Sequence, residues 1–182
     1  MRFYRYIFKY LKFQKNVYLV YMQVHSLEID DFEDSNFRLI SIHTSLLDYK
    51  LAYLLNKDLN TCFKRVSDAL VVEDKTQNAT FSVYNYEDEG HFINWYLIEN
   101  KYHGISSVPI KNGLFGTINE TVNRTSYLIP EKKKTDFLIK IEGDFDPYLV
   151  HKTIQSINKM EQVMTSYEID ITTLKSKDFL II

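Results

Sequence analysis

The sequence predicts an α+β protein, an antiparallel meander of strands with two main helices packed on one face of the sheet. Its 182 residues include 14 Tyr and 12 Phe against only 5 Gly and 3 Pro, a balance that favours folded β-structure over disorder. The apolar positions switch between a period of 2 and a period of 3.6 along the chain. The two helix-like stretches flank a block of strand-like ones instead of alternating with them, which argues against a parallel α/β arrangement. The length suits one domain whose core needs no disulfide or metal.

The elements follow in order. Val24 to Asp30 alternates as a short amphipathic strand that runs into the acidic stretch Asp30 to Asp34. Phe37 to His43 places Ile40 and Ile42 on one face and reads as a strand, with an early helix start as the alternative. Ser45-Leu46-Leu47-Asp48 has the form of a capping box, and Leu47, Leu51, Leu54 and Leu55 follow at helical spacing, so a helix is expected from Leu46 to about Lys57. Phe63 to Val72, Ala79 to Tyr86 and Phe92 to Lys101 are rich in β-branched and aromatic residues and read as strands, the last two joined at Glu87-Asp88-Glu89-Gly90. Asn112-Gly113 marks a hairpin between Val108 to Ile110 and Leu114 to Ile118, because a type I′ turn requires positive φ at both central positions. Ile129-Pro130-Glu131 is expected to link Tyr127 to Ile129 with Phe137 to Ile141 as a further hairpin. Asp146-Pro147 supplies an N-cap and a first-turn proline for a second helix ending near Met164. Tyr167, Ile169 and Ile171 alternate as a closing strand, and Phe179 to Ile182 is an apolar tail that needs cover.

Charge is unevenly distributed. Residues 1–22 hold five of the 22 basic side chains (Arg2, Arg5, Lys9, Lys12 and Lys15) and none of the 24 acidic ones, so the remainder carries 17 basic against 24 acidic groups. An acidic body is a poor match for a phosphate backbone, so nucleic acid is disfavoured as a direct ligand. Charges interrupt residues 1–21 too often for a signal peptide or a membrane span. Two readings are open for this segment: an upstream extension from a start codon placed before the true one at Met22, which the shift in composition favours, or a basic aromatic helix on a membrane surface. The domain proper is expected to be residues 22–182. The single cysteine, Cys62, excludes an internal disulfide and reads as a small half-buried hydrophobe in a reducing compartment.

Motifs of recognised chemistry are missing. The five histidines form no H-x-H or H-E-x-x-H pattern, Asp30 to Asp34 has no EF-hand glycine or closing glutamate, and no serine sits in G-x-S-x-G. No glycine-rich phosphate loop occurs, so neither a cofactor nor a metal is expected. Two places carry candidate binding residues. Around Ile129 to Phe137, Pro130 ends a strand, Lys132, Lys133 and Lys134 occupy the hairpin tip, and Glu131 and Asp136 stand at its shoulders. The conformational reading of these acids is favoured; the functional one is that they meet across the hairpin mouth and hold a cation or a basic partner. Trp95, with Tyr84, Tyr86 and Tyr96, is either part of the core, the favoured reading, or a stacking platform for a base or aromatic ligand.

The stretch Ile129-Pro130-Glu131-Lys132-Lys133-Lys134-Thr135-Asp136-Phe137 resembles the signature of the IPExxxVDY family of small bacterial proteins, with Thr135 and Phe137 in place of the signature's valine and tyrosine. Three further blocks extend the resemblance over residues 22–182: Asp48 to Lys57, Trp95 to Lys101, and Leu174 to Ile181. The resemblance implies no catalytic residues, so no site is carried over from it.

The function these observations favour is a cytoplasmic, non-enzymatic protein-binding or adaptor module. Its partner would be another protein, met through a sheet edge or the Lys132–Lys134 hairpin tip. The alternative is a small-molecule or RNA-associated factor using the aromatic cluster around Trp95. An enzyme ranks third, since catalysis needs convergent groups that sequence does not place. Oligomeric state has no signature in the sequence.

Overall fold

The computed structural model describes residues 37–67, 69–73, 78–112 and 116–182. Its elements in chain order are β1 (Phe37–Thr44), α1 (Asp48–Leu59), β2 (Lys64–Arg65), β3 (Leu70–Glu73), β4 (Asn78–Phe81), β5 (Val83–Asp88), β6 (Ile93–Glu99) and β7 (Lys101–Asn112). β8 (Gly116–Tyr127), β9 (Phe137–Glu142), α2 (Tyr148–Ile157) and β10 (Val163–Ile169) complete them. The expected strand Val24 to Asp30, the acidic run after it and the readings of residues 1–21 lie outside the described residues.

Six strands form the main sheet in the order β10-β1-β9-β6-β5-β2, and every adjacent pair is antiparallel. The fold is α+β. Both helices cover one face, where Leu51, Ala52 and Leu55 of α1 and Val150 and Ile157 of α2 pack on Ile40, Ile42, Trp95, Leu97, Ile139 and Ile141. Full burial of a leucine such as Leu51 or Leu55 contributes about 1.5–3 kcal/mol, so these contacts anchor α1.

The opposite face is covered as well, which accounts for the adjacent apolar residues Leu39-Ile40 in β1 and Phe137-Leu138-Ile139 in β9. Leu39, Val83, Ile98 and Leu138 pack there under Ala79 and Phe81 of β4, Leu128 and Ile129, and Leu174 and Leu180 of the C-terminal segment. Of the apolar tail, then, Leu180 alone acts as cover, and Phe179, Ile181 and Ile182 stay exposed, contrary to expectation. The C-terminal segment crosses the sheet as a strap made of two 3₁₀ turns, Ile171–Thr173 and Lys177–Leu180. Lys140, 3% exposed in the middle of β9, donates its ammonium to the Leu180 carbonyl, pairs with Glu142, and lies 5.0 and 5.4 Å from the ring centres of Phe37 and Tyr96. Such a charge is tolerated away from water because it is both paired and hydrogen-bonded.

Several expectations need correction. The Ser45 capping box does not form: Leu47 holds the N-cap position without a side-chain cap, and Asp48 turns one oxygen toward Tyr84. The stretches 63–72 and 79–86 are not single strands, for each divides between the main sheet and the small β3–β4 hairpin. Ser82 marks one division, because its carbonyl accepts from Glu99 N–H at 2.9 Å while its own N–H goes to the Glu99 carboxylate at 3.3 Å. The β7–β8 ribbon is longer than expected, and its register sets Asn112 opposite Gly116 instead of within the turn. The Ile129-Pro130-Glu131 segment is not a hairpin: β8 pairs with β7, whereas β9 lies between β1 and β6. Lys132 to Lys134 are thus not a hairpin tip but part of a crossing from the ribbon to the sheet. The second helix stops at Ile157, short of Met164, since the Asn158 side chain turns to Ser166 and the chain reverses into β10. Cys62 is exposed, not half-buried.

Among the described residues β2 and β10 form the two edges of the main sheet. β2 is two residues long. At the centre of β10, Ser166 N–H donates to the Asn158 side-chain oxygen at 2.6 Å, and Asn158 Nδ2 donates back to the Ser166 carbonyl at 3.0 Å. Short edge strands and occupied edge groups both discourage strand addition.

Candidate functional site

The crossing between β8 and β9 is organised by a residue that sequence reasoning passed over. Asn100, fully buried, donates Nδ2 to the carbonyls of Lys132 and Thr135, each at 3.0 Å, and accepts Ile129 N–H at 2.8 Å. Its backbone holds the same segment, with N–H donated to the Asp136 carbonyl and C=O accepting from Leu128. Buried Ser41 and Thr135 add a hydroxyl contact at 2.7 Å beneath the loop. An asparagine between two strands carries no motif, so nothing in the local pattern singles it out.

Glu131 and Asp136 are directed to different parts of the chain. Glu131 accepts from Lys175 N–H at 2.8 Å, from Ser176 N–H at 2.9 Å and from the Ser176 hydroxyl, which pins the C-terminal strap. Burial pushes its carboxyl up, but hydrogen bonds from its own backbone, Lys175 and Ser176 outweigh that and hold it below the usual glutamate value. Asp136 instead accepts Thr44 N–H at 2.9 Å and pairs with Lys101. Among the described residues they share no partner. Lys132 is half-buried, while Lys133 and Lys134 are exposed.

Asp136 lies in a cleft of about 370 Å³ where three parts of the chain converge. The β1–α1 connection supplies Thr44 to Asp48, the β6–β7 junction supplies Glu99, Lys101 and His103, and Ser82 and Phe137 complete the lining. The change of direction at Asn100 brings Glu99 and Lys101 to one opening, since the chain leaves the main sheet for the ribbon there. Asp48 accepts from the Tyr84 hydroxyl at 3.2 Å and lies 3.6 Å from Arg65. Burial and then the Asp48 charge push the Tyr84 phenol above its ordinary value. Lys101 is engaged by Asp136 and by the Lys134 carbonyl at 3.3 Å, and His103 contacts Thr125 Oγ1 at 3.0 Å.

Glu99 is the unmatched group. It is half-buried, and among the described residues no cationic side chain forms an ion pair with it. Burial raises its carboxyl above the usual value; hydrogen bonds from Ser82 and the Arg65 charge oppose this, and the Asp48 charge adds to it. The cleft thus has three carboxylates against one lysine, and two of the carboxylates already have cationic neighbours within the chain. Among the described residues no group of histidine, cysteine and acidic side chains could hold a metal ion.

Trp95 is 5% exposed inside the helix-covered core, so it offers no open ring face for stacking. Among the described residues its indole N–H has no hydrogen-bond partner. Among the described residues no helix is long and apolar enough to cross a membrane. No family model, no curated protein and no solved structure matches the chain.

Proposed function

We propose that this protein is a non-enzymatic binding module that recognises a protein partner by taking a lysine or arginine side chain into the cleft beside Glu99. The observation that carries this reading is a half-buried carboxylate that opens into a cleft and forms no ion pair among the described residues. A guanidinium or ammonium entering there gains a charge-assisted hydrogen bond and relieves the burial of an uncompensated charge. The acidic balance of the chain beyond residue 22 would draw a basic segment toward it.

Binding is favoured over catalysis because Asp48 and Asp136 are held by structural partners: Asp48 by Tyr84 and Arg65, Asp136 by Thr44 and Lys101. The resemblance to the IPExxxVDY family adds no catalytic residue to this picture. The two-residue β2 and the occupied Ser166 groups of β10 discourage strand addition, which favours a contact at the root of the β7–β8 ribbon.

Calorimetric titration of the full chain with peptides bearing one arginine in a neutral sequence tests the reading. Saturable one-site binding is expected, weakened about tenfold or more in Glu99→Gln and reduced by added salt. Equal binding by wild type and Glu99→Gln, or none by either, would remove it.

A further inference from the structure

A second concavity, of about 460 Å³, lies on the other side of the Ile129 to Phe137 crossing. Its apolar lining comes from Val72 and Ala79 of the β3–β4 hairpin, Phe81, Tyr127 at the end of β8, Pro130, and Phe179 of the C-terminal strap. Phe179 is 43% exposed, although Leu174 and Leu180 on the same strap are buried. It stands at the rim as a partly open wall. Lys133 also lines the groove, with its ammonium 5.9 Å from the centre of the Tyr127 ring. Among the described residues Lys133 forms no ion pair. Arg124, which has a partner of its own, lines the same groove.

We propose that this groove binds a soluble carboxylate carried on a straight apolar chain, with the chain against Tyr127, Val72 and Phe179 and the carboxylate on Lys133. The argument is one of complementarity. The volume falls within the ~300–1,000 Å³ of ordinary ligand sites, which pair mostly apolar walls with a few polar groups that fix orientation. A neutral amphiphile would leave the lysine without a counter-charge, and a cationic one would meet it with like charge. A carboxylate satisfies the ammonium while the chain removes apolar surface from water. This site is separate from the Glu99 cleft and has the opposite charge preference, so its failure leaves the reading of that cleft untouched.

The test uses the full chain and three probes of equal length below their aggregation limits: decanoate, decanol and decyltrimethylammonium. Nuclear magnetic resonance titration reads the location, and calorimetry reads the affinity. Decanoate is expected to bind one-to-one, shifting the amides of Thr125, Ser126, Tyr127 and Phe179, with decanol about tenfold weaker and the cation weaker still. Lys133→Gln should bring decanoate down to the affinity of decanol, and Lys133→Arg should restore it. Lys133 is exposed, so neither variant threatens the fold. Binding without saturation, shifts spread away from the groove, or equal decanoate affinity in wild type and Lys133→Gln would overturn the proposal.

Discussion

Asn100 accepts the Ile129 N–H at 2.8 Å, and with its amide donated to two carbonyls further along, one buried side chain closes the crossing from β8 to β9. All of its side-chain hydrogen-bonding groups face the segment from Ile129 to Thr135. An isosteric apolar residue would leave a buried N–H and two carbonyls unpaired, and aspartate would set a carboxylate against those carbonyls. Asn100→Leu and Asn100→Asp are each expected to lower stability by about 3 kcal/mol or more, read from urea unfolding. A change below about 1 kcal/mol would show that the loop holds its shape without Asn100.

The C-terminal strap should loosen in acid. Glu131 has a carboxyl held below its ordinary value, so its contribution is complete above the unfolded-state pKa, about 4.3, and is lost as pH falls through the lower folded value. Glu131→Ala is expected to reduce stability by about 1 kcal/mol at neutral pH and to speed hydrogen exchange at Lys175 and Ser176. The difference between variant and wild type should narrow as pH falls below about 4.3 and close once it is below the folded value. Unchanged exchange at both amides would mean that the strap is held elsewhere, with Lys140 and Leu180 as the remaining tether.

Gly143 tests how tightly the β5–β6 turn packs against the end of β9. Its φ is +127°, and a Cβ there would lie 2.7 Å from the carbonyl oxygen of Phe92, itself a non-glycine residue at φ 55°. Backbone strain and a contact with main-chain atoms act together. Gly143→Ala is expected to lower stability by about 2–3 kcal/mol with no change in the denaturant slope. An unaltered unfolding midpoint would refute this.

Local signals in the sequence were good guides where one element buries one face. Leu51 and Leu55 announced α1 through helical spacing, and Ile40 and Ile42 share the helix-covered face of β1 as their alternation implied. Asp146 accepts Tyr148 N–H at 2.8 Å, but the N-cap position expected for it is held by Pro147, so both residues stand one place earlier than the sequence implied. The divisions of the strands were not legible, because a chain passing from one sheet to another at Ser82 keeps its period of 2. Proline and lysines after Tyr127 read as a hairpin, yet the partner of β9 is chosen by burial on both faces, and turn chemistry does not report that. Of the cleft residues only Asp136 stood out in the sequence as a binding candidate, and Ser45 to Asp48 stood out only as a helix start. Asp48, Glu99, Lys101 and His103 come from separate segments that only the turn at Asn100 and the β1–α1 connection bring together.

Glu99 should lower the stability of the free protein. A carboxyl whose folded pKa is raised binds more protons folded than unfolded, so stability declines as pH climbs from about 4.3 through the folded value and stays lower at neutral pH. Glu99→Gln keeps an oxygen for Ser82 N–H and removes the charge. The variant is expected to unfold at a higher temperature than wild type at neutral pH, by a few degrees, with the difference closing toward about pH 4. A lower midpoint for the variant across the whole range would place Glu99 among the stabilising groups.

The most direct measurement of the role assigned to Glu99 is its carboxyl titration, followed by carbon NMR with and without the arginine-bearing peptide. In the free protein the midpoint should lie above the ordinary glutamate value. On adding the peptide it should fall, because a cation in the cleft favours the ionised form, and by linkage the peptide should bind less tightly once Glu99 is protonated. A midpoint that stays the same with the peptide bound would contradict the assignment.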